Sequence, residues 1–302
     1  FAKLARAARK TAQLSGRIMG TRRVLGFDGA RQIVLVRRVM NPLPPVAPPS
    51  SGCPPVQNEW PNLSPWVETH WASADTSACE LADWIGAQLR TAIECRGHAV
   101  LSVSGGKSPI PLFQSLSQLD LPWEQITVTL VDERQVSETH PASNARLVRE
   151  HLLQGPARRA RFVPMLGSSD GTTPHEWNNQ INEAEHVLQE LGPADVVLLG
   201  MGLDGHTASL FRQASEFAQA MDPHQTRTCM AMQLHPPPPD APFHRISQTL
   251  THLLRSRQLV LSIAGEQKRS VLTEALQDPA SPYPIAALLH QRSTPLLLWI
   301  TP

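Results

Sequence analysis

Hydrophobic positions along the chain follow two alternating rhythms. Between residues 75 and 95 they recur every three or four places (Ala78, Leu81, Ala82, Ile85, Leu89, Ile93), which is one face of an amphipathic helix, and Asp75 or Thr76 stands where a capping side chain belongs. Residues 99–103, 126–131, 195–199, 259–263 and 296–300 are instead short, nearly unbroken apolar runs, the mark of strands buried on both faces. A weaker run at 162–165 predicts one more short strand, and stretches at 110–117, 145–153 and 177–191 read as helices between the runs. This alternation predicts an α/β fold, a Rossmann-like parallel sheet with helices on both faces.

In such sheets ligands bind beyond the carboxyl ends of the strands, so the residues that follow each run carry the chemistry. The run at 99–103 delivers Ser104-Gly105-Gly106-Lys107-Ser108-Pro109. A glycine pair between strand and helix gathers backbone N–H groups and a helix N-terminus at one point, which suits a phosphate, and Lys107 adds a charge. The spacing is not that of a Walker loop. The run at 126–131 delivers Asp132-Glu133-Arg134, followed by a polar turn with His140, Ser143 and Asn144. The run at 195–199 leads into Gly200-Met201-Gly202-Leu203-Asp204-Gly205-His206-Thr207, where Thr207 is placed to open a helix. A lone histidine is more often structural than catalytic. His206, set between turns at the binding edge and titrating near neutrality, is nonetheless a sensible general base or acid. Gly265, with Lys268 near a helix start, follows the run at 259–263.

The Gly200-x-Gly202-x-x-Gly205 spacing also satisfies the dinucleotide fingerprint. It stands late in the chain, and no acid closes a second strand about twenty residues on, so no nucleotide cofactor is expected.

Composition narrows the partners. The chain has 302 residues, 41% of them hydrophobic, and a formal net charge of +1, which argues against nucleic acid or a membrane held by bulk electrostatics. No apolar run is long enough to span a bilayer. Cys53, Cys79, Cys95 and Cys229 stand far apart with no metal-site spacing, so they read as core or loop thiols in a reducing cytoplasm and no metal is expected. Residues 1–38 hold ten Lys or Arg against the single acid Asp28, with a strand-like piece at 32–36. Prolines then crowd residues 41–65, favouring extended polyproline conformations. Residues 1–65 therefore read as a basic, then proline-rich extension, and 66–302 as the folded domain.

Several of these segments resemble the 6-phosphogluconolactonases, which share their fold with the glucosamine-6-phosphate isomerases and deaminases. The resemblance rests on Ser104-Gly105-Gly106-Lys107-Ser108-Pro109, on Val131 to Val136 with His140, Ser143 and Asn144, on Leu199 to Phe211, on Arg245-Ile246-Ser247 and on Gly265-Glu266-Gln267-Lys268. It covers residues 66 to the end in order, and LLGMGLDGHTASLF is its specific part. It implies cofactor-free hydrolysis of 6-phospho-D-glucono-1,5-lactone, a small phosphorylated sugar lactone, by a cytoplasmic monomer or small homo-oligomer. It further implies that Ser104, Gly105, Gly106, Lys107, Ser108, Asn144, Gly202, Arg245 and Lys268 hold substrate, chiefly its phosphate. His206 would activate water, Asp204 orient the imidazole, and Asp132 with Arg134 serve the reacting centre. Where the family usually has proline after Ser-Leu-Phe, this chain has Arg212. Two other readings keep the fold: an amino-sugar phosphate isomerase or deaminase using Asp132 as base, and a non-catalytic sugar-phosphate sensor.

Overall fold

A computed structural model of the chain describes residues 64–167, 173–236 and 242–302. The basic lead, its strand-like piece, most of the proline-rich stretch, Cys53 and Pro237 to Pro239 lie outside the described residues.

Seven strands form one wholly parallel sheet in the order β1-β10-β9-β6-β2-β3-β5. These are β1 (Val67–Trp71), β2 (Ala99–Val103), β3 (Ile126–Leu130), β5 (Arg161–Val163), β6 (Val196–Leu199), β9 (Leu259–Ala264) and β10 (Leu296–Thr301). Strand periodicity divides the core. Leu101, Val103, Leu198, Val260 and Trp299 point to one face, packed with Leu81, Ile85 and Leu89 of helix α1 (Ser77–Arg96) and with Phe113 and Leu116 of α2 (Ile110–Ser117). Val100, Leu199, Leu261, Leu298 and Ile300 point to the other, against Phe211, Leu210, Leu272 and Ile285. Burying both faces explains why the strands read as continuous apolar runs rather than alternating ones. Thr76 stands at the N-cap of α1, as expected, but its side chain makes no capping bond. The hydroxyl of Ser73 accepts the Thr76 N–H instead.

From β2 the chain winds outward to β3 and β5, then returns to β6 on the other side of β2 and continues to β9 and β10. Strand order thus reverses between β2 and β6, and the crevice beyond their carboxyl ends is the natural ligand position.

A second sheet departs from the expected single parallel one. Strands β4 (Asp132–Arg134), β8 (Arg245–Gln248) and β7 (Cys229–Met232) pair antiparallel in the order β4-β8-β7. The Asp-Glu-Arg cluster is therefore a strand, not a loop where the chain meets solvent. Gln248 joins the two sheets: its N–H donates to Val131 O at 2.8 Å, and Nε2 donates to Ser102 Oγ at 3.0 Å and Leu130 O at 2.9 Å. The expected helix at Thr207 does not form. Its hydroxyl donates to Gly200 O at 2.9 Å, closing a turn, and the next helix is only a short one, Phe217–Ala220.

At the opposite edge Asp195 holds the start of β6. Its Oδ2 accepts the Val100 N–H at 2.8 Å, and its Oδ1 pairs with Arg96 and, in an ion contact at 3.1 Å, with Arg257 Nε. Asp195 is buried, while the arginines keep partial access to water. Replacing it by alanine orphans a buried N–H and two cations, so Asp195→Ala is expected to lower stability by about 2–4 kcal/mol in urea unfolding. A change below about 0.5 kcal/mol would show this clasp to be unimportant.

Candidate active site

Beyond the carboxyl ends of β2 and β6 lies a cavity of about 240 Å³. Most residues singled out from the sequence meet there: Ser104, Gly105, Gly106, Ser108, Asp132, Arg134, Asn144, Gly202, His206, Arg245 and Lys268 all line it. Two do not. Lys107 is exposed and absent from the wall, because Gly106, with φ of 93°, turns the loop so that the following residue faces water. Asp204 stands behind His206 rather than in the cavity, consistent with an orienting role.

The glycine loop is fixed by what it touches. A Cβ on Gly105 would fall 1.8 Å from Asn144 Oδ1, so no other residue fits without moving the buried Asn144. Asn144 in turn donates from Nδ2 to Asp132 O at 2.9 Å and to Asp132 Oδ1 at 3.3 Å. Its Nδ2 is thus engaged by Asp132, chiefly through the backbone oxygen, while its buried Oδ1 has no hydrogen-bond partner. Asn144 opens helix α3 (Asn144–His151), whose N-terminus is held by the buried Glu133. Glu133 accepts from Asn144 N at 2.8 Å, Ala145 N at 2.7 Å, Arg134 N at 2.7 Å and Ser143 Oγ at 3.1 Å. Burial raises its pKa above the usual carboxylate range, those N–H donors work in the opposite direction, and neighbouring Asp132 adds to the rise. In the sequence Glu133 shows only as one member of the Asp-Glu-Arg cluster, because nothing local marks bonds to residues ten to twelve positions on.

One pole of the cavity is cationic. Arg134 and Arg245 are directly opposed across β4 and β8. Arg245 is only 5% exposed, and the Nε atoms of both arginines are buried without a hydrogen-bond partner. Arg245 lies over the Phe211 ring, 5.0 Å from its centroid. Its pKa is lowered first by burial and then by Arg134, with Asp132 and Glu133 opposing. Lys268, in the first turn of helix α7 (Glu266–Gln277, counting the short Phe217–Ala220 and Leu250–Leu253 helices as α5 and α6 after α4, Pro174–Leu191), is half-buried, and burial lowers its pKa. Like charges desolvated together are unfavourable unless an anion joins them.

The other pole is the imidazole. His206 Nδ1 lies 2.5 Å from Asp204 Oδ1, and the His206 ring packs on Phe211 with centroids 3.9 Å apart. A carboxylate can only accept, so Nδ1 carries the proton and Nε2 keeps its lone pair. Burial pushes the Asp204 carboxyl upward, but its hydrogen bond and charge interaction with His206 outweigh that and hold it below the usual range. Gly202 permits this packing, since a Cβ there would lie 2.3 Å from His206 Cε1 and 2.6 Å from Asp204 Oδ1. Ser262, Ala208 and Leu112 complete the wall without having been foreseen. Ser262 is a single hydroxyl within an apolar run, and the other two have no polar atom to signal them.

Among the described residues no cluster of His, Cys, Asp and Glu could hold a metal ion, and no helix is long and apolar enough to cross a membrane. Cys79 and Cys95 are exposed, while burial pushes the Cys229 thiol up to about 12.

A sequence profile for glucosamine-6-phosphate isomerases/6-phosphogluconolactonase matches residues 72–299. The chain is similar to the 6-phosphogluconolactonase of Neisseria meningitidis serogroup A, 39% identical over 227 residues covering 75% of this chain and 94% of that relative. It is 41% identical to that of Pseudomonas aeruginosa over 207 residues, 68% of this chain and 83% of the other. Its fold is similar to the crystal structure of a 6-phosphogluconolactonase from Shewanella baltica, with a TM-score of 0.70 and 38% identity, covering 78% of this chain and 98% of that one.

If the paired arginines await an anion, inorganic phosphate at saturation should raise the thermal midpoint of the protein. In Arg245→Met that rise should vanish, while the anion-free variant is as stable as the parent or up to about 2 kcal/mol more so, because a buried like-charge contact has gone. An undiminished phosphate effect in Arg245→Met would remove Arg245 from the anion site.

Proposed function

The chain belongs to the glucosamine-6-phosphate isomerase/6-phosphogluconolactonase family, and from that premise we propose how its cavity divides the work of one reaction. That reaction is the hydrolysis of 6-phospho-D-glucono-1,5-lactone to 6-phospho-D-gluconate in the oxidative pentose phosphate pathway, cleavage of a carboxylic ester. The observation that carries the division is that the buried Arg245 and an imidazole whose Nδ1 is already engaged by Asp204 line one cavity.

Phosphate is held by the Gly105 to Ser108 loop, Arg245 and Lys268. Its binding energy orients a ring whose reacting carbon lies at the other end of the molecule. His206 Nε2 takes a proton from water as the oxygen attacks C1, and Asp204 stabilises the imidazolium that forms. The oxyanion that develops on the carbonyl oxygen faces Arg134. Collapse breaks the bond from C1 to the ring oxygen, and the imidazolium returns its proton to that leaving alkoxide. Asp132, whose two carboxylate oxygens accept from Asn144 and Ser209, orients the sugar hydroxyls. Those bonds hold the carboxylate in one orientation and leave it acceptor capacity for a sugar hydroxyl.

His206→Ala is expected to reduce lactone hydrolysis at least about a hundredfold, to the spontaneous rate, with 6-phosphogluconate affinity preserved. Glucosamine 6-phosphate offered in a parallel assay should not turn over. Unchanged lactone turnover in His206→Ala would remove the imidazole from the mechanism.

A further inference from the structure

Resting on the lactonase reading above, we infer that Ser209 is a positioning residue that ties the carboxylate of Asp132 to the turn carrying His206. Ser209 is fully buried, at 0% exposure, and its Oγ donates to Asp132 Oδ2 at 2.6 Å. That is the length of a charge-assisted O–H···O⁻ bond. Its backbone N–H donates to Ser247 Oγ at 3.2 Å, and Ser247 is the residue opposite Asp132 across β4 and β8. Ser209 is therefore fastened twice to the small sheet, once through the side chain and once through the main chain.

Between His206 and Ser209 the backbone is strained. Ala208 has φ of 49° and is the one non-glycine residue with positive φ among those described. A residue with a Cβ resists this conformation, so both of its flanks must be held. On one side Thr207 Oγ1 donates to Gly200 O at 2.9 Å. On the other stand the two bonds of Ser209. Ala208 itself lines the cavity, as do His206 and Asp132. Removing the Ser209 hydroxyl frees one oxygen of Asp132 to rotate and lets the Ala208 turn relax, so both sides of the reacting centre lose their setting together. Arg245 and Lys268 themselves stay in place, and Asp132 keeps its charge beside Arg245.

The test is a double-mutant cycle on lactone hydrolysis with thermal unfolding alongside, using Ser209→Ala, Ser209→Cys, Asp132→Asn and the Ser209→Ala/Asp132→Asn pair. Ser209→Cys is slightly larger and offers only a weak donor, and it should unfold within a few degrees of the parent. The expected result is a loss of about tenfold to a hundredfold in kcat for either Ser209 variant, with KM within about twofold. In the Asp132→Asn background Ser209→Ala should cost less than about threefold more, because the two act as one unit. An unchanged kcat in Ser209→Cys, a loss confined to KM, or fully multiplicative effects in the cycle would each overturn the inference. Absence of lactone hydrolysis in the parent protein would instead take down the lactonase reading itself, and this inference with it.

Discussion

Two arginines stand directly opposite across a single pair of antiparallel strands, Arg245 buried and Arg134 partly so, each with its Nε unpaired, and much of the surrounding structure exists to tolerate that arrangement. The parallel sheet supplies rigidity, since its strands are buried on both faces and cannot slip without exposing their apolar runs. Gln248 joins the small sheet to it, so Arg245 and Arg134 sit at a fixed place relative to the glycine loop that follows β2. Asp132 and Glu133, the two residues before Arg134, offset part of the positive charge, yet Glu133 is itself consumed by the N-terminus of α3. What remains is a positive surplus facing the cavity. A dianion is the ligand that removes it.

The opposite end of the cavity is organised by a different constraint, the need to keep one imidazole nitrogen bare. Asp204 occupies Nδ1, Phe211 fixes the ring plane, and Gly202 leaves the ring its space. Phe211 also lies against Arg245. One aromatic side chain therefore sets the spacing between the two poles, packing on the imidazole with one part of its surface and on the guanidinium with another.

Much of this was legible from the sequence because it depends on local signals. Continuous apolar runs gave the seven-stranded sheet apart from β1, and the polar residues after each run gave the cavity wall. A charge beside a glycine pair does not say which way the loop turns it: Lys107 is exposed, while its neighbours Gly106 and Ser108 line the cavity. Strand β4 was hidden because three consecutive charged residues look like a surface, while their burial comes from partners more than one hundred residues away in β8. Thr207 carried a helix-start signature, but its hydroxyl found the Gly200 carbonyl first. Glu133 and Ser209 had no local signature at all, since their worth lies in hydrogen bonds between segments that only the fold brings together.

The most direct measurement is a crystal structure of the protein with 6-phosphogluconate bound. The account predicts phosphate oxygens within hydrogen-bond reach, about 2.7–3.2 Å, of Arg245, Lys268 and the backbone N–H groups of the Gly105–Gly106 loop. It also predicts the C1 carboxylate beside His206 Nε2 and Arg134. A phosphate seated against His206, or a C1 carboxylate turned away from the imidazole, would contradict it.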